Sequence, residues 1–238
     1  MMSTEDILLT EIEEFNSSDK RSWMITGDKY YRVDNDINNR RMIRHTEDGT
    51  IEDKTKANNK LSHGFAKNLV DEKIAYLLTK PYSLQCDNEE YINKVKDVLG
   101  KYFQYTLSNL GNEASNKGIA WLYVYVDEQG KFRTMLIPSE QCVPLWKDNT
   151  HTELDGMIRY YLITVYEGRE KKQITKVEYY TPEGINYYIL RDKQLIRDIE
   201  TNEGGPIAYY KKGDEWRTWG KVPFIPFKNN RIEYPDIR

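Results

Sequence analysis

The sequence predicts an α+β fold, with amino-terminal helices packed on an antiparallel, Tyr-rich β-meander. Three observations predict it. Apolar residues recur at helical spacing as far as Lys117, and after Gly118 the period changes to two. Beyond that point the apolar runs are separated by short turns rich in Gly, Pro and Glu.

Ser3 or Thr4 caps a first helix whose opening turn carries Glu5 and Asp6, where acids complement the helix dipole. Ile7, Leu8, Ile12 and Phe15 form its apolar stripe. From Ser17 to Thr55 the chain reads as polar, irregular and mobile, with turn signals at 34–39 and 47–50. A helix is expected over Asn58–Lys80, stopped by Pro81. Leu61, Phe65 and Leu69 lie on one arc of it and Val70, Ile74, Leu77 and Leu78 on another, a pattern that predicts packing against more than one neighbour. The next helix, about Glu89 to Lys117, has its stripe at Tyr91, Val95, Val98, Leu99, Tyr102, Thr106 and Leu110. Gly100 marks a kink or break in it, and Gly118 suits a left-handed cap.

Ile119–Val126 is apolar on both faces and reads as a central strand, joined by Asp127–Gly130 to a partner over Lys131–Ile137. The residues from Ile137 to Trp146 read as a corner. Further strands are expected at Met157–Tyr166, Ile174–Tyr180, Ile185–Leu190 and Gln194–Ile199. Gly204-Gly205-Pro206 loosens the chain, and the two prolines within Val222–Phe227 restrict that run to an edge strand or an extended surface segment.

The bulk numbers exclude several function classes. The 238 residues suffice for a substantial core, and 31% charged against 39% apolar residues describes a well-solvated globular protein. A net charge of −3 argues against a coat that neutralises nucleic-acid phosphates. The apolar run at Ile119–Val126 is too short to span a bilayer, and the first residues lack the basic and apolar regions of a secretory signal. The sequon Asn16-Ser17-Ser18 therefore reads as accidental. Cys86 and Cys142 suit a reducing cytosol and supply neither a disulfide framework nor a metal set. Tyrosine is the compositional outlier, 19 residues against 6 Phe and 5 Trp, and tyrosine favours both strands and subunit contacts.

Catalytic patterns are sparse. No glycine-rich phosphate loop is followed by Lys-Ser or Lys-Thr, and His45, His63 and His151 lack zinc-ligand spacing. Asp34 and Asp36 form a potential metal or acid pair within an Asn-rich turn, and His151 with Glu153 and Asp155 forms a second candidate before a strand. Arg40, Arg41 and Arg44 are the best candidates for contacting an acid or phosphate, and Arg169–Lys172 reads as a solvated hairpin tip.

The ordered blocks resemble the portal proteins of long-tailed phages of Gram-positive hosts. They comprise Asn58–Leu61 with Phe65, Val70-Asp71, Lys80-Pro81, Ala114-Ser115, Gly118 and Trp121–Tyr125, then Gly130–Phe132, Ile137–Glu140 and Pro144–Trp146. Thr152–Asp155, Ile158–Tyr161, Val177–Tyr180 and Pro223–Phe227 with Asn229-Asn230 complete them. The resemblance implies a structural, non-enzymatic subunit of a homo-oligomeric ring, commonly dodecameric, at one vertex of the capsid. By that resemblance the ring passes double-stranded DNA and meets the terminase, the major capsid and scaffolding proteins and the head-completion and tail-connector proteins, with no membrane involved. Its place is the virion, and the host cytoplasm during assembly. The chain matches the wing-side region, divided as residues 1–57 (helix and polar arm), 58–118 (helical part) and 119–238 (β part). Stem, clip and crown are expected to be missing. No catalytic, cofactor or metal residue is carried over. The alternatives are an α+β metal-dependent hydrolase or ligand-binding module using Asp34, Asp36 or His151, and a virion interaction protein that forms no ring.

Overall fold

Two antiparallel sheets face each other across a shared core and each carries helices on its outer face. A computed structural model describes residues 3–198, 201 and 205–237. The helices are α1 (Thr4–Ser17), α2 (Asp19–Tyr31), α3 (Phe65–Leu78), α4 (Glu89–Leu99) and α5 (Phe103–Lys117). The strands are β1 (Ile43–Thr46), β2 (Gly49–Glu52), β3 (Ile119–Val126), β4 (Phe132–Ile137), β5 (Cys142–Trp146), β6 (Leu154–Glu167), β7 (Glu170–Thr181), β8 (Gly184–Arg191), β9 (Gln194–Arg197), β10 (Tyr210–Lys212), β11 (Glu215–Arg217) and β12 (Phe224–Lys228).

The central strand β3 lies between β12 and β4, and the meander runs β5-β6-β7-β8-β9. Alternation along β3 assigns its two faces. Ala120 and Leu122 pack with Leu110 and Ala114 of α5, while Ile119 and Trp121 join Met157, Tyr180, Ile185 and Phe224 between the sheets. The outer face of the meander, with Val143, Ile158, Val177 and Tyr188, receives Leu8 and Ile12 of α1. Burying each of those two aliphatic side chains contributes about 1.5–3 kcal/mol, and they are the buried residues of α1. Ser3 caps that helix in a capping box with Asp6.

Gly118 does what its position predicts. Its φ is +86°, its N–H bonds the carbonyl of Ala114, and the chain passes from α5 into β3. Gly100, φ +74°, separates α4 from α5 where one helix with a break was read. Pro226 lies in β12, an edge strand, as two prolines in that run require.

Several expectations are overturned. Residues 17–55 are not irregular: they contain α2, capped by Ser18, and the β1–β2 hairpin. The α2 sequence carries almost no stripe, because only Met24 and Gly27 are buried, and the helix depends on its approach to α5 rather than on periodicity. The helix expected from Asn58 begins at Phe65. Before it, Asn58, Lys60 and Ser62 spend their side chains on Arg40 and Asn38 of the preceding loop. The corner before Trp146 contains a full strand, β5, with Pro144 tolerated at the sheet edge. The β10–β11 hairpin was not anticipated. Ile199 and Gly204, where a strand end and a loosened segment were expected, lie outside the described residues. Among the described residues no helix is long and apolar enough to cross a membrane.

Candidate functional site

Charged side chains gather at three points, the first and third around a buried charge and the second half-exposed, and each joins distant parts of the chain. Glu233, buried and at φ +57°, receives Lys20 of α2 on one oxygen, and Lys228 of β12 at 3.0 Å and His151 Nδ1 at 2.8 Å on the other. The His151 ring stacks on Trp146 with centroids 4.8 Å apart. Burial pushes the Glu233 carboxyl up, but the hydrogen bond and charge of Lys20, with His151 and Lys228, outweigh it and hold the pKa at about 2. At the second point Lys73 of α3 meets Asp236 at 2.7 Å and Asn229 at 2.7 Å, and Ser115 of α5 also donates to Asp236. At the third, buried Lys117 is held by Glu113 at 2.9 Å and Glu140 at 2.6 Å. A further buried carboxylate, Glu178, accepts from the hydroxyls of Tyr161 and Tyr180, each at 2.7 Å, and from Arg159. These networks fasten helices and the last residues of the chain to the sheets. Glu233 and Glu178 each accept from three partners, so these two carboxylates act as clamps between elements.

The residues singled out from the sequence do not converge. Asp36 is an exposed partner of Lys29 (2.6 Å) and Tyr30 (3.0 Å), whose hydrogen bonds lower its pKa, and Asp34 stands nearby at the end of the same loop. His151 belongs to the Glu233 clamp, while Asp155 is exposed on β6. Arg40, Arg41 and Arg44 lie on or just before the exposed β1–β2 hairpin. His45 contacts Thr50 and His63 stacks on Phe65. Cys142 is buried, which pushes its thiol pKa up, and Cys86 is exposed. Among the described residues no group of three His, Cys, Asp or Glu side chains is placed to hold a metal. Sequence reasoning missed Glu233, Lys117 and Glu178, because nothing in a single sequence separates a buried carboxylate or ammonium from the many solvated ones.

The helices carry a different feature. Phe65, Leu69 and Tyr76 of α3 are 69%, 68% and 84% exposed, on the face opposite the buried Val70 and Ile74. Leu61 and Leu77 are exposed as well, as are Tyr91 and Val98 of α4 and Tyr102 and Tyr105 around the start of α5. The expectation that α3 packs on more than one neighbour holds, since it meets α5 and also α2, whose Tyr31 hydroxyl donates to Asp71 at 2.7 Å, but the expectation that no face of it is left exposed is corrected. One arc meets α5, where a side chain on Gly111 would strike Leu78 and Ile74, and the other arc faces outward. A concentration of large apolar side chains of this kind marks a contact surface.

Fold and surface together define an α+β protein whose buried charges join its elements and whose helices present apolar side chains outward. The family model described as "Phage portal protein, SPP1 Gp6-like" matches residues 15–237, and the chain belongs to that family of phage portal proteins. It is similar to the portal protein of Bacillus phage SPP1, 33% identical over 216 residues that cover 90% of this chain and 42% of the relative. It is also similar to the portal protein of Clostridium phage phiCD119, 33% identical over 242 residues that cover 96% of this chain and 51% of the relative. The chain therefore spans about half the length of these curated relatives.

Proposed function

We propose that this chain is the wing-side part of a portal subunit. The subunit joins copies of itself in a ring at the capsid vertex, commonly of twelve in the family, through which double-stranded DNA is packaged and ejected. The observation that carries this reading is the match to the portal family along nearly the whole chain. The outward apolar faces of α3 and α4 agree with it, since a ring subunit must bury surface against its neighbours. On this reading residues 1–57 form the amino-terminal part, 58–118 the helical part and 119–238 the β part of the wing. The protein works by contact and not by catalysis. Its partners are the terminase, the capsid and scaffolding proteins and the connector proteins, and its place is the virion after assembly in the host cytoplasm. Electron microscopy and native mass spectrometry of the longest expressible form test the proposal. Closed rings are expected, and a strictly monomeric product at every concentration would overturn it.

A further inference from the structure

Two surface features at opposite ends of one strand are complementary to each other. The first is a cleft of about 320 Å³ between the last turns of α1 and the edge strand β5. Its lining is mostly apolar, with Phe15, Val143, Pro144 and Trp146; Lys20 and His151 line it too but are engaged by Glu233, which leaves Glu11 and Glu14 as its uncompensated charges. Neither carboxylate has an ion-pair partner among the described residues. With Glu13 they load the C-terminal half of α1 with acid and no base in its last turn, against the helix dipole. Deeper in, Trp121 is fully buried, and its indole N–H has no acceptor among the described residues. The second feature is the β6–β7 arm. Past Tyr161 both strands leave the core, and the register places Leu162 opposite Thr175, Thr164 opposite Gln173 and Tyr166 opposite Lys171. That face carries Leu162, Tyr166 and Lys171 among neutral polar residues and bears no carboxylate, the acids Glu167 and Glu170 of the tip alternating to the other face. Leu162 is 64% and Tyr166 71% exposed, and Arg169 sits at the tip.

The arm cannot fill the cleft of its own chain. Pro144 in the cleft pairs with Met157 on β6, and the tip lies beyond Glu167 on the same extended strand, about 30 Å away at ~3.3 Å per residue. Two unlike patches of opposite charge at different ends of the molecule can form a head-to-tail contact, which closes into a ring when the rotation per subunit allows it. We infer that the β6–β7 arm of one copy docks in the α1/β5 cleft of the next, with Tyr166 entering the apolar cleft and Arg169 and Lys171 meeting Glu11 and Glu14. The inference rests on the ring reading and specifies one of its contacts. A tyrosine suits the cleft because its body is apolar and its hydroxyl offers an acceptor to a buried indole N–H.

The test uses the full chain in a Cys86→Ser background. One preparation carries Glu14→Cys and another Arg169→Cys, and the two are mixed under mild oxidation. A covalent dimer of one copy of each is expected, in about tenfold excess over a control pairing of Arg169→Cys with Gln129→Cys on the distant β3–β4 turn, because docking raises the local thiol concentration. A yield no greater than the control overturns the proposal. A second measurement covers disulfide geometry: Glu11→Lys with Glu14→Lys should weaken self-association, Arg169→Glu with Lys171→Glu should do the same, and a mixture of the two should restore it. Association indifferent to both charge reversals overturns the contact. Rings that form without the cross-link sink the contact and leave the ring reading standing. Cross-linked open chains that never close sink the ring reading and leave the contact.

Discussion

Glu233 shows how much one side chain organises. Its carboxylate joins α2, β12 and the loop before β6 through Lys20, Lys228 and His151. Glu233→Gln keeps the shape but leaves the cations facing a neutral group, so a loss of about 3 kcal/mol is expected. In a domain of this size that corresponds to a fall in Tm of about 6–12 °C at neutral pH. The acid limb follows from the depressed pKa. An ordinary value of 4.5 becomes about 2 in the fold. The folded state thus binds the proton more weakly than the unfolded chain, and the stabilisation is complete above pH 4.5 and lost as pH falls through about 2. Its size is on the order of 3 kcal/mol. Denaturant titrations from neutral pH down to about 2 should show this loss in the parent chain and a shallower one in Glu233→Gln. Parallel pH profiles would refute the assignment.

At the scale of elements, α2 and α5 approach so closely that a Cβ on Gly27 would lie 1.9 Å from the carbonyl oxygen of Asn116. In a solvated helix Gly→Ala gains about 1 kcal/mol. Here the sign reverses, because backbone and not a yielding side chain stands in the way, and Gly27→Ala should lose about 1–3 kcal/mol. Thermal unfolding decides, and a Tm equal to or above that of the parent would rule out the close approach. The same contact explains what the sequence hid. A glycine inside a polar helix carries no period, so α2 reads as loop, whereas Gly100 and Gly118 stand at element boundaries and announce themselves. Strands β3, β6, β7 and β8 were legible because alternation and turn residues agree there. The two neighbours of α3 were legible, but its outward arc was misread because periodicity counts apolar residues without saying what lies on them. Of the candidate site, Phe65 and Leu69 were visible as a stripe, while the Glu233 clamp depends on chain crossings that no local pattern records.

For the whole molecule, the exposed helix faces and the fold should separate under mutation. Replacing Phe65, Leu69 and Tyr76 together by serine removes outward apolar surface and leaves the buried Val70 and Ile74 in place. The expected product has an unchanged far-ultraviolet circular dichroism spectrum and a Tm within a few degrees of the parent, but fewer rings by electron microscopy. Rings in undiminished number would show that this face is not a subunit contact. The topology also has a consequence in time. Strand β3 is synthesised about a hundred residues before one of its two neighbours, β12, which pairs Phe224 with Tyr123. At ~5–20 residues per second a ribosome needs roughly 5–20 s to pass from Val126 to Phe224. Throughout that interval the nascent chain carries Ile119–Val126 with one backbone edge unpaired, the kind of edge that recruits foreign strands. Only when translation reaches β12 does that edge gain the partner it has in the fold.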